Sequence, residues 1–254
     1  MKGVRLARNE RVDSLDHLGR RIIQRKDGFR FSMDAVLLAH FPKYGKNCRV
    51  LDLGTGTGAI PLLMAENAAY VEALEIDSSM AGMAARSVLL NGLEKKIRVR
   101  CGDYREIRKL VEPESFDVVL ANPPYSGVSD GPIAKGKKAG ARQEVTATLS
   151  DVVRAARYAL RYGGKFAMVH RPARLAEIFA AFSEHQLAPK RMRLVEPRAG
   201  KSANLVLVEA VQGGAPGGLV MLPTLRVYGE TGRYTPEIME IYGTHENDGE
   251  KNAE

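Results

Sequence analysis

The first candidate for a ligand site is a glycine-rich segment that begins with an acid. It reads Asp-Leu-Gly-Thr-Gly-Thr-Gly over residues 52–58 and follows a short apolar run. Glycines let the backbone pass close to a ligand, and a helix that starts there directs free N–H groups at it. The pattern alone is ambiguous, because Gly54, Gly56 and Ala59 also satisfy the fingerprint of nicotinamide-dinucleotide sites, with Glu75 near the position of a ribose-binding acid.

Asp52 distinguishes between two classes of nucleoside cofactor. A carboxylate at the mouth of the glycine loop would face the pyrophosphate of a dinucleotide, and like charges repel at that distance. S-adenosylmethionine has no phosphate and carries an ammonium and a sulfonium group. An acid at this point therefore favours S-adenosylmethionine over NAD. The alternatives are a helix N-cap for Asp52 and simple packing for the glycines.

Two further acids follow the next two predicted strands. Glu75 offers two carboxylate oxygens to the vicinal diol of a ribose, and Ile76 is placed to pack on the adenine ring. Asp103 can accept a hydrogen bond from the adenine amine, although capping a turn is an alternative role. The predicted cofactor-binding residues of this part of the chain are Asp52, Gly54, Thr55, Gly56, Gly58, Glu75, Ile76, Asp103 and Tyr104.

The second candidate site is Asn122-Pro123-Pro124-Tyr125, which directly follows an apolar run. The prolines make the segment rigid, and the Pro123 carbonyl has no N–H of its own residue beside it. That carbonyl and the Asn122 amide oxygen can both accept from one planar amino group, which raises the lone-pair density on its nitrogen. Tyr125 offers a ring on which a flat group can stack. We predict that all four residues are catalytic and that Asn122 also contacts the cofactor; a rigid turn without chemistry is the alternative.

These segments need strands to position them, and the apolar runs predict such strands. Strands are predicted at 49–53, 70–76, 97–100, 116–121, 165–170, 192–195 and 205–211, and helices at 60–66, 78–90, 149–160 and 172–182. The alternation is typical of a parallel sheet with helices on both faces, whose ligands lie beyond the carboxyl ends of the strands. The last two strands have no helix between them. The predicted fold is therefore α/β and Rossmann-like, with a mostly parallel seven-stranded sheet that ends in an antiparallel edge hairpin.

Composition excludes several classes of protein. The 254 residues are 44% hydrophobic and 27% charged, which is typical of neither a disordered nor a fibrous chain. Two cysteines, Cys48 and Cys101, are too few for a disulfide scaffold or a structural zinc site. No apolar leader and no stretch of 18 apolar residues is present, so we expect a cytoplasmic protein without a membrane span or a bound metal. The oligomeric state stays open, with a monomer as the preferred expectation.

Charge indicates the kind of partner. Residues 1–229 contain 36 Lys and Arg against 23 Asp and Glu, a surplus of 13 positive charges. A field of that sign attracts polyanions, nucleic acids above all, although an ordinary solvated surface is the alternative. The segment 126–143 has four glycines and few large apolar side chains, so we predict a mobile loop beside the catalytic segment. Its predicted phosphate contacts are Lys135, Lys137, Lys138 and Arg142.

Together, Asp-x-Gly-x-Gly-x-Gly and Asn-Pro-Pro-Tyr resemble the motifs of the class I S-adenosylmethionine-dependent amino-methyltransferases. Those enzymes modify adenine N6, cytosine N4 or a glutamine side-chain amide. The chain is further similar to the bacterial family of tRNA1(Val) adenine-N6 methyltransferases over nearly all of 13–242. The matching stretches are 29–38, 49–63, 116–125, 164–172, 200–209 and 228–242.

The resemblance implies transfer of a methyl group from S-adenosylmethionine to N6 of an adenine in RNA. Adenine 37 of a tRNA is the first candidate for that adenine. It also places Phe31, Ser32 and Asp34 in a segment that closes over the methionine end of the cofactor. The residues alone indicate only an amphipathic helix that Ser32 caps. His170 and Arg171 are candidates for substrate contact, a satisfied polar pair being the alternative. We expect an N-terminal extension over 1–46 that caps the cofactor site, a methyltransferase domain over 47–242 and a disordered tail over 243–254.

Three other functions stay open. Methylation of a glutamine in a protein such as a release factor is the first, but only 48 residues precede the first strand predicted here, too few for the helical substrate domain of such enzymes. Methylation of adenine in rRNA or DNA is the second, and no separate target-recognition domain for DNA is visible. A nicotinamide-binding or non-enzymatic Rossmann protein is the third, and Asp52 argues against it.

The basic loop leads to a prediction that salt can test. If it supplies three or four phosphate contacts, the logarithm of RNA affinity falls with the logarithm of salt concentration, at a slope of about −0.7 per contact. Replacing Lys135, Lys137 and Lys138 together by Ala should flatten that slope by roughly two units, with cofactor binding unchanged. Filter binding of a tRNA across a salt series measures the slope. If the slope stays the same, the RNA binds elsewhere on the basic surface.

Overall fold

The computed structural model describes residues 3–16, 18–27, 31–125 and 147–243. The strands are β1 (Glu10–Ser14), β2 (Arg21–Arg25), β3 (Cys48–Leu53), β4 (Ala68–Glu75), β5 (Ile97–Cys101), β6 (Phe116–Ala121), β7 (Leu160–His170), β8 (Leu187–Glu196), β9 (Leu205–Gln212), β10 (Val220–Met221) and β11 (Leu225–Arg226). The α-helices are α1 (Met33–His40), α2 (Ala59–Met64), α3 (Ser78–Leu90), α4 (Leu149–Ala159), α5 (Leu175–Glu184) and α6 (Pro236–Tyr242). Short 3-10 helices lie at Tyr104–Lys109 and Pro172–Arg174.

Apolar and β-branched runs form the centre of the main sheet. Its long strands lie in the order β5-β4-β3-β6-β7-β9-β8. The first five are parallel to one another, whereas β9 runs antiparallel to both β7 and β8. The predicted Rossmann-like sheet with an antiparallel edge hairpin is thus confirmed. The chain order reverses between β3 and β6, and ligands of open α/β sheets bind at such a switch point.

The predicted number of strands is wrong: the described main sheet has nine strands rather than seven. Both additions, β10 and β11, are two residues long and pair in parallel with β8 at the edge of the sheet. Segments so short show no alternation of apolar and polar residues, so backbone pairing alone defines them. A separate antiparallel hairpin of β1 and β2 was also not predicted, because its first strand is mostly charged.

Three boundaries differ from the prediction by three to five residues. Tyr162, Gly163 and Gly164, which lie between the predicted helix and the predicted strand, belong to β7, which begins at Leu160 directly after α4. A side chain at Gly164 would come within 2.8 Å of the Arg161 carbonyl oxygen, so glycine is needed for the irregular pairing there. The helix predicted from Pro172 begins as a 3-10 turn, and β8 begins at Leu187, five residues before the predicted strand.

Apolar side chains fill both faces of the sheet. Alternate residues of one strand point to opposite faces, so Val118 and Leu120 of β6 join one apolar cluster and Val119 joins the other. Helices α1 and α2 cover the first face, and α4 and α5 cover the second. A helix is present after Ser32, but the prediction that it is amphipathic is wrong. Helix α1 buries five successive residues: Ala35, Val36, Leu37, Leu38 and Ala39.

The N-terminal hairpin is attached to α3 by polar contacts. The Arg86 guanidinium donates to both carboxylate oxygens of Glu10, at 2.5 and 2.7 Å. The Ile23 backbone N–H donates to the Ser87 hydroxyl at 2.9 Å. Asn91, directly after α3, exchanges two hydrogen bonds with the backbone of the first residue of β2, at 2.9 and 2.7 Å. These bonds hold the hairpin against the side of the sheet that carries the glycine loop.

The Glu10–Arg86 pair predicts an acid-sensitive attachment of the hairpin. The Arg86 guanidinium lowers the pKa of Glu10 from 4.5 to about 2. A lowered pKa stabilises the folded state above the unfolded pKa, and this stability is lost as pH falls from about 4.5 toward 2. Glu10→Gln should therefore lower the free energy of unfolding at pH 7 by about 1.5–3 kcal/mol, the range for hydrogen bonds to charged groups.

Denaturant unfolding at pH 7 and pH 3 measures that difference. The difference between wild type and Glu10→Gln should shrink at the lower pH. Glu106→Gln is the matched control, because Glu106 pairs with Lys109 at the exposed surface and should leave the midpoint unchanged. An equal loss at both pH values would show that the pair does not act through the charge of Glu10.

Candidate active site

The carboxyl ends of the parallel strands bring the predicted residues to one edge of the sheet. The glycine loop follows β3, Glu75 ends β4, Asn122 follows β6 and His170 ends β7. Pairing places Leu53 opposite both Leu74 and Ala121, so these segments begin at the same level. The two sites predicted from separate parts of the sequence are therefore adjacent.

Asp52 is the most deeply buried acid of this edge. Its side chain has no exposed surface, and neither carboxylate oxygen accepts a hydrogen bond from any described residue. Burial raises the pKa of Asp52 to about 7; the nearby Thr55 hydroxyl, which lies outside hydrogen-bond geometry, opposes this rise and the negative charge of Glu75 adds to it. The N-cap of α2 is Gly58, so the alternative role of Asp52 as a helix cap is wrong. The nearby hydroxyl of Thr55 is also buried and unpartnered within the described structure.

The glycine loop is fixed to its neighbours by backbone contacts. The N–H groups of Gly54 and Thr55 both donate to the Leu74 carbonyl oxygen at 2.9 Å. Gly56 has φ of +60°, which favours glycine, and open space surrounds its Cα. A side chain at Gly58 would lie 3.1 Å from Cβ of Ala84, so this glycine lets α3 approach the loop. The loop thus leaves room on one side and packs closely on the other.

Glu75 and Ile76 form the next part of the site. The two Glu75 oxygens accept from the backbone N–H groups of Gly56, at 2.7 Å, and Asp77, at 2.9 Å. Each oxygen keeps a lone pair with which it can accept from a ribose hydroxyl. Ile76 is 58% exposed although it is large and apolar, and it is therefore available to a flat ring.

Asp103 caps a turn, which is the alternative role that the sequence analysis gave it. It caps the 3-10 helix by accepting from the Arg105 N–H at 2.8 Å, and the Arg105 guanidinium donates to its other oxygen at 2.7 Å. Although partial burial works against it, these bonds hold the pKa of Asp103 below its ordinary value. Tyr104 follows it, and its ring faces the glycine loop beside Gly54. Contact of Asp103 with an adenine amine stays a prediction.

The segment Asn122-Pro123-Pro124-Tyr125 turns the Tyr125 hydroxyl back toward the start of the segment. The hydroxyl oxygen lies 3.2 Å from Oδ1 of Asn122 and also donates to the carboxylate of Asp34. Burial, followed by the bond to Asp34 and its negative charge, raises the pKa of Tyr125 above its usual range. Tyr125 therefore keeps its proton at neutral pH.

Two residues at the end of β7 pack against the Tyr125 ring. The His170 ring lies 5.2 Å away between centroids, and the Arg171 guanidinium lies 5.8 Å from the Tyr125 centroid. The Arg171 backbone N–H donates to Nδ1 of His170 at 2.8 Å, so the neutral ring carries its proton on Nε2. Burial and the charges of Arg174 and Arg171 lower the pKa of His170. His170 is thus a neutral neighbour of the Asn122-Pro123-Pro124-Tyr125 segment.

The N-terminal segment reaches this edge through α1. Ser32 occupies the N-cap position of α1 but makes no side-chain cap bond, and Asp34 lies in its first turn. Gln24 of β2, which was not predicted, accepts from the Phe31 N–H at 2.6 Å while it donates to Asp13 at 2.8 Å. The available signal was its place two residues after Ile22, on the same face of a buried strand. Lys135, Lys137, Lys138 and Arg142 lie outside the described residues.

The side chains fit S-adenosylmethionine. A buried carboxyl without partners suits the ammonium group, two free lone pairs on Glu75 suit the ribose and the exposed Ile76 suits the adenine. Across the described ranges, no cluster of three His, Cys, Asp or Glu residues could hold a metal ion. None of the helices described is long and apolar enough to cross a membrane.

Fold and donor set together define a class I methyltransferase whose cofactor is S-adenosylmethionine. The family model of the methyltransferase small domain matches residues 32–188, and the chain belongs to this family. A tRNA1(Val) (adenine(37)-N6)-methyltransferase of Aeromonas salmonicida is 28% identical over 178 residues, 69% of this chain and 73% of the relative. The enzyme of that name from Bacteroides thetaiotaomicron is 29% identical over 187 residues, 72% of this chain and 77% of the relative. Among solved structures, a predicted O-methyltransferase, protein Atu636 from Agrobacterium tumefaciens, is 27% identical with a TM-score of 0.68, covering 83% of this chain and 96% of its own.

Asp52 predicts how cofactor affinity depends on pH. Its pKa is about 7 without ligand, and a bound ammonium group would favour the ionised form and lower that pKa. Affinity for S-adenosylhomocysteine should therefore rise between about pH 6 and pH 8 with release of a proton. The rise should level off above about pH 8, where Asp52 is already ionised in the free protein. Calorimetry in buffers of different ionisation enthalpy measures both affinity and proton release.

Asp52→Asn is the control, because it has nearly the same shape and does not titrate. It should bind the ligand roughly 10–100-fold more weakly, through loss of a buried charged acceptor, and should release no proton. Without ligand, the substitution should have the opposite effect and stabilise the protein at high pH. A raised pKa stabilises the folded state below about pH 4 and that stability is lost as pH rises to 7, so Asp52→Asn should be more stable than wild type at pH 8. A wild type whose affinity does not change with pH would contradict this account of Asp52.

Proposed function

We propose that this methyltransferase modifies N6 of an adenine in RNA, with adenine 37 of a tRNA as the first candidate. The observation that carries the proposal is the turn after β6, where the Asn122 amide oxygen and the Tyr125 hydroxyl lie 3.2 Å apart at the switch point of the sheet. An amide oxygen suits an amino group, and the aromatic ring of Tyr125 suits a planar base. The names of the two relatives, tRNA1(Val) (adenine(37)-N6)-methyltransferases, support the choice of substrate.

Methylation of an amino group needs hydrogen-bond acceptors for its hydrogens rather than a general base. As the amino nitrogen attacks the methyl group it changes from planar to tetrahedral, and its hydrogens become more acidic. The Asn122 oxygen and the Pro123 carbonyl can accept hydrogen bonds from those hydrogens. The methyl–sulfur bond would break as the nitrogen–carbon bond forms, S-adenosylhomocysteine would leave with the sulfur lone pair, and the methylated nitrogen would then lose one proton to water. Rate then comes from alignment of nitrogen, methyl group and sulfur and from preorganised dipoles.

Methylation of a hydroxyl group is a different reaction, and the solved neighbour from Agrobacterium tumefaciens is described as a predicted O-methyltransferase. A hydroxyl acceptor needs a general base near the methyl group. The His170 imidazole packs against Tyr125, but its unprotonated nitrogen already accepts from the Arg171 N–H. This observation favours an amine over a hydroxyl as the acceptor.

RNA as the partner agrees with the surplus of 13 positive charges in residues 1–229, which contain 36 basic against 23 acidic residues. Arg171 adds a cation within 5.8 Å of the Tyr125 ring, where it can face a phosphate of the extruded nucleotide. Removing an adenine from a loop costs less than removing it from a duplex, because the base is already unpaired. We place the reaction in the cytoplasm, where such a tRNA would be modified.

The test compares three acceptors with methyl-labelled S-adenosylmethionine. These are an unmodified tRNA1(Val) transcript, the same transcript with guanine in place of adenine 37, and a release factor. Label should enter the first RNA alone and digest to N6-methyladenosine. Label in the guanine-substituted RNA would show that the target is an adenine other than adenine 37. Label in a protein glutamine would overturn the proposal.

Asn122→Ala tests the role of the catalytic segment. It removes an acceptor that is needed mainly as the amine becomes tetrahedral, so kcat should fall by roughly 10²–10³, as when an oxyanion-hole donor is lost. Affinity for S-adenosylhomocysteine, measured by calorimetry, should stay within a factor of about two. Asn67→Ala, at an exposed asparagine beyond α2, should change neither value. Equal losses of kcat and cofactor affinity would instead support the rigid turn without chemistry.

A further inference from the structure

We propose that Asp34 holds the proton of the Tyr125 hydroxyl away from Asn122 and so keeps the Asn122 amide oxygen free for the target amine. Asp34 would then be a positioning residue that acts through Tyr125. This inference rests on the proposed function, because it assigns Asn122 the role of acceptor for an amino group. It differs from the cofactor contact that the family resemblance implies for Asp34.

The contact joins two parts of the chain that are distant in sequence. Asp34 lies in the first turn of α1, and Tyr125 lies 91 residues further along the chain, shortly after the end of β6. The Tyr125 hydroxyl donates to Oδ2 of Asp34, while its oxygen also lies 3.2 Å from Oδ1 of Asn122. Both possible acceptors are thus within reach of the same hydroxyl.

The number of protons decides between the two acceptors. A tyrosine hydroxyl has one proton to donate, and neither a carboxylate nor an amide oxygen brings another to the contact. A bond to an ionised acceptor is shorter and roughly twice as strong as a bond to a neutral one. The proton therefore points to Asp34, and both lone pairs of the Asn122 oxygen remain available.

The surroundings keep this arrangement in one protonation state. Burial and the negative charge of Asp34 raise the pKa of Tyr125, so the hydroxyl stays protonated. Arg171 lies over the Tyr125 ring and Tyr242 of α6 is close enough to Asp34 for its own pKa to be raised by that charge. In the described structure, the Tyr125 hydroxyl is placed within hydrogen-bond distance of the Asn122 amide oxygen, at 3.2 Å, whereas the His170 ring packs against the Tyr125 ring.

The experiment is a double-mutant cycle of wild type, Asp34→Ala, Tyr125→Phe and the double variant. Without Asp34, the Tyr125 proton turns to Asn122 and occupies the acceptor, so kcat should fall by roughly tenfold or more. In Asp34→Ala/Tyr125→Phe that proton is gone, so the double variant should be faster than Asp34→Ala alone. Asp34→Asn keeps a neutral acceptor and should give an intermediate kcat.

Three measurements accompany kcat for each protein: KM for the RNA, affinity for S-adenosylhomocysteine and the free energy of unfolding. Cofactor affinity should change by less than a factor of about two in all four proteins. Glu237→Gln, which alters an exposed acid of α6 outside the site, should match wild type in every value. Asp34→Asn also serves where Asp34→Ala does not fold.

Two outcomes would overturn the inference. If removal of Asp34 lowers kcat by the same factor in the wild-type background and in the Tyr125→Phe background, Asp34 acts independently of the hydroxyl. A loss of cofactor affinity in both backgrounds would assign Asp34 to the cofactor, as the resemblance implies. Failure of the proposed function would give a separate result, because the wild type would then methylate no adenine. The double-mutant cycle of unfolding free energies would still measure the Asp34–Tyr125 contact. The kcat cycle would be measured on whichever acceptor the wild type modifies.

Discussion

Parallel pairing of β3 between β4 and β6 is the constraint on which the site depends. One row of backbone pairing joins Leu53 to Leu74 on one side and to Ala121 on the other, and the row continues from Ala121 to Met168. The residues that follow this row are those for which we predict contact with the cofactor or the target: the glycine loop, Glu75 and Asn122. A slip of one strand by one residue would turn its buried side chains to the other face, so the hydrophobic core fixes the register. Packing far below the ligand thereby sets the positions of polar groups at the edge.

The polar groups at this edge are not equally satisfied. Glu75 accepts from two backbone N–H groups, and Asp103 accepts from Arg105, so both are stabilised without ligand. Asp52 is buried without partners among the described residues, which destabilises its ionised form. Such an unpaired acid is costly as long as nothing pairs with it. We predict that the ammonium group of the cofactor is the partner of Asp52, whereas Glu75 and Asp103 already have partners within the protein.

Much of this architecture follows from sequence, for reasons that particular residues illustrate. The strands β3 and β6 are apolar enough to be predicted within a residue, and α3 was predicted from Ser78 to Leu90, its bounds in the structure. The short strands β10 and β11 were missed because pairing with an exposed edge, rather than any apolar pattern, defines them. Contacts between distant segments were missed for a related reason. Gln24 with Phe31, and Asp34 with Tyr125, require the path of the N-terminal chain across the sheet, which no local pattern contains.

The protonation states of the site agree with the proposed reaction, in which an amine is methylated without a general base. Tyr125 has a raised pKa and His170 a lowered one, so neither changes its charge around neutral pH. Asp52, whose pKa is about 7, is the group here that does change. If Asp52 binds the ammonium group of the cofactor as we predict, proton exchange near neutral pH accompanies cofactor binding. In the proposed reaction, methyl transfer then takes place among hydrogen-bond donors and acceptors whose roles are already fixed. A site that orients an amine by acceptors needs that separation, since a proton donated to the Asn122 oxygen would occupy the lone pair that the proposal assigns to the amine.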